Sequence, residues 1–174
     1  MQTENILWQG SPSQWVNAKQ FSIATVFFII LLVLEAAGFF DSLFNKTLAF
    51  MGGYSSLLKT AIFLIPILMA VWSWLQVKFR SYVLTTEVLR ECYGVFDRVT
   101  EETELYRIND TATFKPFELN IVGLGNVIVY TSDASSTMVV IAAIRQPDEL
   151  RQLIRQYVEI QRERKGIVEI ANYN

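Results

Sequence analysis

Two long apolar stretches in the first half of the sequence constrain the fold more than any other feature. Residues 21–40 contain one charged side chain, Glu35, and residues 60–77 contain none. As helices these stretches would be roughly 27–30 Å long, which matches the hydrocarbon thickness of a bilayer. Neither has a polar stripe, and a chain of 174 residues is too short to bury two such helices in a soluble core. The sequence therefore predicts two membrane-spanning helices.

A cleaved signal peptide is the alternative interpretation of the first stretch, and it fits poorly. Twenty residues precede the stretch, with Lys19 as their only basic residue. The sequence at residues 35–37 is Glu-Ala-Ala, which does not resemble a small-x-small cleavage site. A retained span is favoured.

The density of charged residues rises sharply from Lys78 onward. The first 77 residues carry 6 of the 32 charged side chains, which are 15 basic and 17 acidic in all. The sequence thus predicts an N-terminal segment, 1–20, a helical hairpin, 21–77, a cytoplasmic domain, 78–166, and an apolar tail, 167–174.

Basic residues beside the spans predict their orientation. Four lie outside the pair of spans and two lie between them, so the positive-inside rule predicts that both termini are cytoplasmic. The outer four are Lys19, Lys78, Arg80 and Arg90, and the inner two are Lys46 and Lys59.

Candidate membrane residues follow from this topology. Trp72, Trp74, Lys78 and Arg80 are expected at the cytoplasmic membrane interface, where aromatic and basic side chains are favoured. Glu35 is an ionisable group within a span, which suggests a functional site by default.

Two readings of Glu35 remain open. It extends outward or pairs with Lys59 near the far interface, or it contributes to a proton or ion path. A path would normally use several such groups, and the spans contain no second one.

The second half of the chain has the pattern of an α+β domain. Short apolar runs recur about every ten residues, which is typical of an antiparallel barrel or sandwich. From Pro147 the apolar period becomes that of a helix, with a stripe that should cover one open end of the strands. The predicted strands are residues 82–86, 88–96, 104–108, 112–119, 127–130 and 138–144, and the stripe is Leu150, Leu153, Ile154, Tyr157 and Val158.

Four local patterns together resemble a known family. They are Leu-Trp-Gln-Gly-Ser-Pro-Ser at residues 7–13, Tyr-Val-Leu-Thr at 82–85, Glu-Leu-Tyr-Arg-Ile-Asn-Asp at 104–110, and the Gly-x-Gly-x-Val strand within 122–132. In this order they resemble the bacterial membrane-anchored pleckstrin-homology-like (PH-like) proteins with two spans and one domain. The resemblance implies an α+β membrane protein: a transmembrane hairpin followed by a PH-like barrel or sandwich, closed by a C-terminal helix.

Composition argues against catalysis. The chain has no His and one Cys, so His-based catalysis and a zinc cluster are excluded, and no catalytic residue, metal site or cofactor is expected. Residues 78–174 hold 12 basic and 14 acidic residues, which does not suit nucleic-acid binding.

The expected function is therefore a non-catalytic interaction or scaffold module at the membrane. Its partners would be the lipid bilayer and either a protein, as an accessory subunit, or further copies of the chain. A lipid-sensing module and a homo-oligomeric pore or transport component are the alternatives. Ile167, Val168 and Ile170 in the tail are the candidate partner contact, unless the tail folds back on its own domain.

Overall fold

The computed structural model describes residues 4–47, 54–133 and 137–166 of the chain. Within these ranges it has seven strands and five α-helices, with one strand before the helical hairpin and six after it. In chain order the elements are β1 (Ile6–Gly10), α1 (Ala18–Ala36), α2 (Phe39–Thr47), α3 (Ser55–Lys78), β2 (Ser81–Thr85), β3 (Val88–Tyr93), β4 (Val99–Glu104), β5 (Ile108–Phe114), α4 (Phe117–Ile121), β6 (Leu124–Thr131), β7 (Met138–Arg145) and α5 (Pro147–Arg164).

The chain forms two compact units. The helical unit runs from Asn17 to Leu75, and the mixed unit combines the residues up to Val16 with those from Gln76 onward. The mixed unit is therefore discontinuous in sequence, and the helical unit is inserted into it.

The strands of the mixed unit form two antiparallel sheets. One has the order β1-β2-β3-β4 and the other β5-β6-β7. The sequence predicts a barrel or a sandwich. The described strands form two separate sheets and do not close into a barrel. A 3-10 turn at Leu105–Arg107 separates β4 from β5, and Leu105 is fully buried at this corner.

Three strand predictions are wrong in part. The strand predicted for residues 88–96 ends at Tyr93, because Gly94 has a left-handed backbone that begins the turn to β4. Residues 104–108 are mostly this 3-10 corner, because burial of Leu105 turns the chain between the sheets. Residues 112–119 end their strand at Phe114, and Pro116 then leads into the short helix α4. Proline supplies no ladder N–H and suits the start of a helix, which explains the change.

The predicted closing helix is confirmed. Of its stripe, Leu150, Ile154 and Val158 are buried in the core of the mixed unit, while Leu153 and Tyr157 pack against that core with partial exposure. Pro147 occupies the start of α5, where a missing N–H costs nothing. Leu7 and Trp8 of β1 pack on the same core. The other buried members are Tyr82, Leu84, Leu89, Leu105, Ile108, Val127, Val129, Val139, Ile141 and Ile144.

The first apolar helix ends earlier than the sequence predicts. Gly38 has a left-handed backbone, φ 70°, and its N–H donates to the carbonyl of Glu35 at 2.9 Å, which terminates α1. Phe39 and Phe40 consequently begin α2. Glu35 thus lies one residue from the end of α1.

Candidate functional site

The helices α1 and α3 are long, apolar and largely exposed along their length. Two helical segments, Gln14–Ala36 and Ser56–Lys78, are long and apolar enough to cross a membrane. Most of their apolar side chains are exposed, including Ile29 and Val33 on α1 and Leu68 on α3. Such surfaces are unfavourable in water and favourable in lipid.

Specific contacts join these helices to each other. The side-chain amide of Asn17 donates to the backbone carbonyl of Ser73 at 2.7 Å. Toward the other end, the rings of Phe28 and Phe63 meet edge to face with centroids 6.0 Å apart. Leu31 is buried in the same hairpin. These contacts hold α1 and α3 side by side.

Lys59 lies between two carboxylates in the helical unit. Its ammonium is 3.5 Å from Glu35 and also forms an ion pair with Asp41 at the start of α2. The second oxygen of Glu35 is buried without a hydrogen-bond partner. The pair expected from the sequence is thus extended to a third residue, Asp41, which sequence reasoning did not single out because it belongs to the unexpected helix α2.

The expected membrane-interface residues fall in both units. Trp72 and Trp74 are partly exposed on α3, near its end at Lys78. Arg80, in the mixed unit, lies 3.5 Å from Glu91 and stacks over the Tyr93 ring at 5.6 Å from its centroid.

Burial gives Glu91 an unusual environment. Its side chain is only 14% exposed, and this burial raises its pKa, while the Arg80 guanidinium lowers the pKa in part and Glu101 on the neighbouring strand raises it further. Burial therefore outweighs the attraction of Arg80.

The β6–β7 hairpin contains a bulge that also binds the N-terminal segment. Gly125 pairs with Ile144 and Val127 with Ile141, so one residue of β6 opposes two of β7. Within the bulge Ala143 has a φ of 45° and is fully buried. Its carbonyl accepts a hydrogen bond of 3.1 Å from the N–H of Ser13, just after β1.

Comparison with protein families assigns the chain to a family. Residues 21–158 match the family described as Bacterial PH domain, across the helical hairpin, β2 to β7 and most of α5. The chain belongs to the bacterial PH domain family. This confirms the resemblance seen in the sequence. No curated protein and no solved structure matches the chain.

Membership in the bacterial PH domain family narrows the range of functions to consider. PH-like domains are generally non-catalytic and commonly mediate protein or lipid interactions, which indicates an interaction module. Among the residues in the described ranges, no three His, Cys, Asp or Glu side chains are grouped so as to hold a metal ion.

This bacterial PH domain exposes three large apolar side chains that the sequence analysis did not single out. Phe114 at the end of β5 and Phe117 and Ile121 on α4 are 55%, 78% and 69% exposed. We call these three residues the α4 patch. Only Leu119 of α4 is buried. The signal in the sequence was an apolar pattern too short to distinguish a strand from a helix.

The predicted tail contact lies outside the described residues. Ile167, Val168 and Ile170 follow α5, whose last described residues are Lys165 and Gly166. The Lys165 ammonium is 3.6 Å from the centroid of the Tyr106 ring. Lys165 thus lies beside the corner between the two sheets.

Proposed function

We propose that the chain is a membrane-anchored, non-catalytic PH-like interaction module at the cytoplasmic face of a bacterial inner membrane. In this proposal the domain contacts proteins, as an accessory subunit or scaffold of a membrane assembly or as a homo-oligomer. Both termini are cytoplasmic, in accord with the four-to-two distribution of flanking basic residues.

The observation that carries the proposal is where the helical hairpin enters the fold. It lies between β1 and β2, which are neighbours in one sheet, with Gly10 opposite Tyr82. The chain therefore leaves and re-enters the sheet on adjacent strands. A domain built this way is joined to the hairpin at two neighbouring strands, whereas a soluble recruitment domain would have a free end there.

Protein contact is supported by the α4 patch. Exposed apolar side chains that form a contiguous surface are typical of interaction sites. Phe117 and Ile121 are four residues apart on α4, so both lie on one side of it. The tail residues Ile167, Val168 and Ile170 are a second proposed contact, since an apolar β-branched segment can add a strand to a partner's sheet.

The test is the composition of the purified full chain. In mild detergent, light scattering and cross-linking should detect a defined oligomer or a stoichiometric partner. Phe117→Ser combined with Ile121→Ser should reduce that assembly, and removal of residues 167–174 tests the tail separately. Met138→Ser, at a half-exposed residue of β7, is the matched control. A monomer without a partner would contradict the proposal.

The two alternatives predict different results in the same preparation. A lipid-sensing module would retain a stoichiometric phospholipid, detectable by native mass spectrometry. A pore would support ion flux in vesicles, and Glu35→Gln would alter that flux. Among the described residues of the hairpin, the feature that favours a pore is the buried, unpartnered oxygen of Glu35.

A further inference from the structure

The loop between β3 and β4 presents a phenylalanine to solvent on a rigid turn. Phe96 is 84% exposed, the highest value among the large apolar side chains in the described residues. Gly94 has a φ of 111°, and a Cβ at this position would lie 1.8 Å from the carbonyl oxygen of Asp97. Only glycine fits there, so the backbone conformation of the turn is constrained at this position.

The strand register places this loop at the end of the sheet where the chain returns from α3. Ser81 at the start of β2 is opposite Cys92 near the end of β3, and Tyr93 is opposite Val99 where β4 begins. The turn between them therefore lies beside the first residues of β2.

Contacts within the mixed unit fix the loop to the residues that follow α3. The Arg98 guanidinium is 5.9 Å from the centroid of the Phe79 ring, and Arg80 stacks over Tyr93. Phe79 directly follows Lys78, the last residue of α3. Because consecutive Cα atoms are about 3.8 Å apart, Phe79 lies within one residue of the candidate span.

The side chains of this end combine aromatic rings with basic groups. Lys78 and Arg98 are basic, Asp97 is acidic, and Arg80 and Glu91 form an ion pair with each other. Aromatic side chains accompanied by Lys and Arg are favoured at the level of lipid headgroups, especially anionic ones.

We propose that the β3–β4 loop is a second membrane contact, in which Phe96 inserts at the headgroup level and Arg98 binds anionic phospholipid. The occupant is the bilayer that holds the chain's own helices. The contact fixes the orientation of the domain on the membrane. This inference rests on the proposed membrane anchoring.

The test uses the full chain, with Cys92→Ser, reconstituted in vesicles that contain anionic phospholipid. An environment-sensitive fluorophore is attached to a cysteine at position 97, beside Phe96. Position 87, in the β2–β3 turn at the opposite end of the sheet, is the matched control, and position 29 on α1 reports insertion of the anchor. Lipids carrying a nitroxide near the headgroup or in the acyl chain quench the probe according to its depth.

The expected result is a blue shift and headgroup-level quenching at position 97, but not at position 87. Phe96→Ser should abolish the signal at 97, whereas Ile6→Ser, at an exposed apolar residue of β1, should leave it unchanged. Replacing anionic with neutral lipid should weaken it.

Two outcomes would overturn the inference at different levels. Quenching at 29 without quenching at 97 would leave the anchor intact and reject the loop contact. If the probe at 97 were then shielded from aqueous quenchers, a protein would be its occupant. Absence of lipid quenching at 29 would reject the membrane anchoring, and the loop contact with it.

Discussion

The side-chain oxygen of Asn126 accepts a 2.8 Å hydrogen bond from the backbone N–H of Ala143, the buried residue with left-handed backbone in the β7 bulge. A non-glycine residue in this conformation is strained and is kept there only when its surroundings favour it. Asn126 supplies one fixed partner, and Ser13 supplies another through the carbonyl of Ala143. The bulge therefore connects the N-terminal segment to the second sheet.

We expect Asn126→Ala to destabilise the domain by about 1–3 kcal/mol, because it leaves a buried N–H without an acceptor. Urea unfolding of the full chain in detergent measures this. Asn126→Asp keeps an acceptor oxygen at the same place and should lose less. Equal stability of wild type and Asn126→Ala would show that the hydrogen bond does not hold the bulge.

Strand β1 should be necessary for stability, although it is separated from its partner strand by the whole hairpin. Trp8 pairs with Leu84 and packs on the core. Trp8→Ala should therefore cost about 2–3 kcal/mol, less than a fully buried tryptophan. Ile6→Ala, at an exposed position of the same strand, should change little. The same unfolding measurement would contradict this role of β1 if both variants behaved alike.

The helix α5 should tolerate charge on one side only. Ile154 is fully buried, so Ile154→Asp places an unpaired carboxylate in the core and should cost several kcal/mol or prevent folding. Gln156→Asp, on the exposed side of the same helix, should be nearly neutral. Protease resistance and yield of the domain report the result even where the first variant unfolds.

The largely buried carboxylate of Glu91 should make stability fall as pH rises. Burial raises its pKa in the folded state, so the folded chain binds this proton more tightly than the unfolded chain does. Stability is then lost from the ordinary glutamate pKa of about 4.5 up to the raised value. Glu91→Gln should flatten this part of the profile and give equal or higher stability at pH 7.

Unfolding free energies measured across pH 4–8 test this expectation about Glu91. Glu118→Gln, at an exposed position of α4, controls for the loss of one negative charge. A Glu91→Gln variant that is less stable than wild type at pH 7 would mean that the ion pair with Arg80 outweighs burial.

The parts of the fold that sequence reasoning found are those with strong local periodicity. The two apolar helices and the stripe of α5 are specified by composition and by a regular spacing over many residues. Strand β1 was missed because five residues form a strand only when paired with β2, more than seventy positions later. Strand β4 was missed because it is a polar edge strand, Val-Thr-Glu-Glu-Thr-Glu, with little apolar alternation.

The candidate contact residues also fall into two groups: those that the local sequence indicates and those that only the tertiary fold reveals. Trp72, Trp74, Lys78 and Arg80 follow from their spacing along one span. The α4 patch and the exposed Phe96 depend on which apolar side chains the tertiary fold leaves uncovered. No local rule separates such side chains from core residues, since apolar side chains occur at both.

The most direct test is thiol labelling of the anchored topology in whole cells. With Cys92→Ser as background, single cysteines are placed at position 46, between the two apolar helices, and at position 118, on α4. A membrane-impermeant thiol reagent should label position 46 in intact cells, and position 118 only after permeabilisation. Labelling of position 118 but not 46 in intact cells would contradict the cytoplasmic placement of the domain, and labelling of neither or both would contradict the two-span anchor.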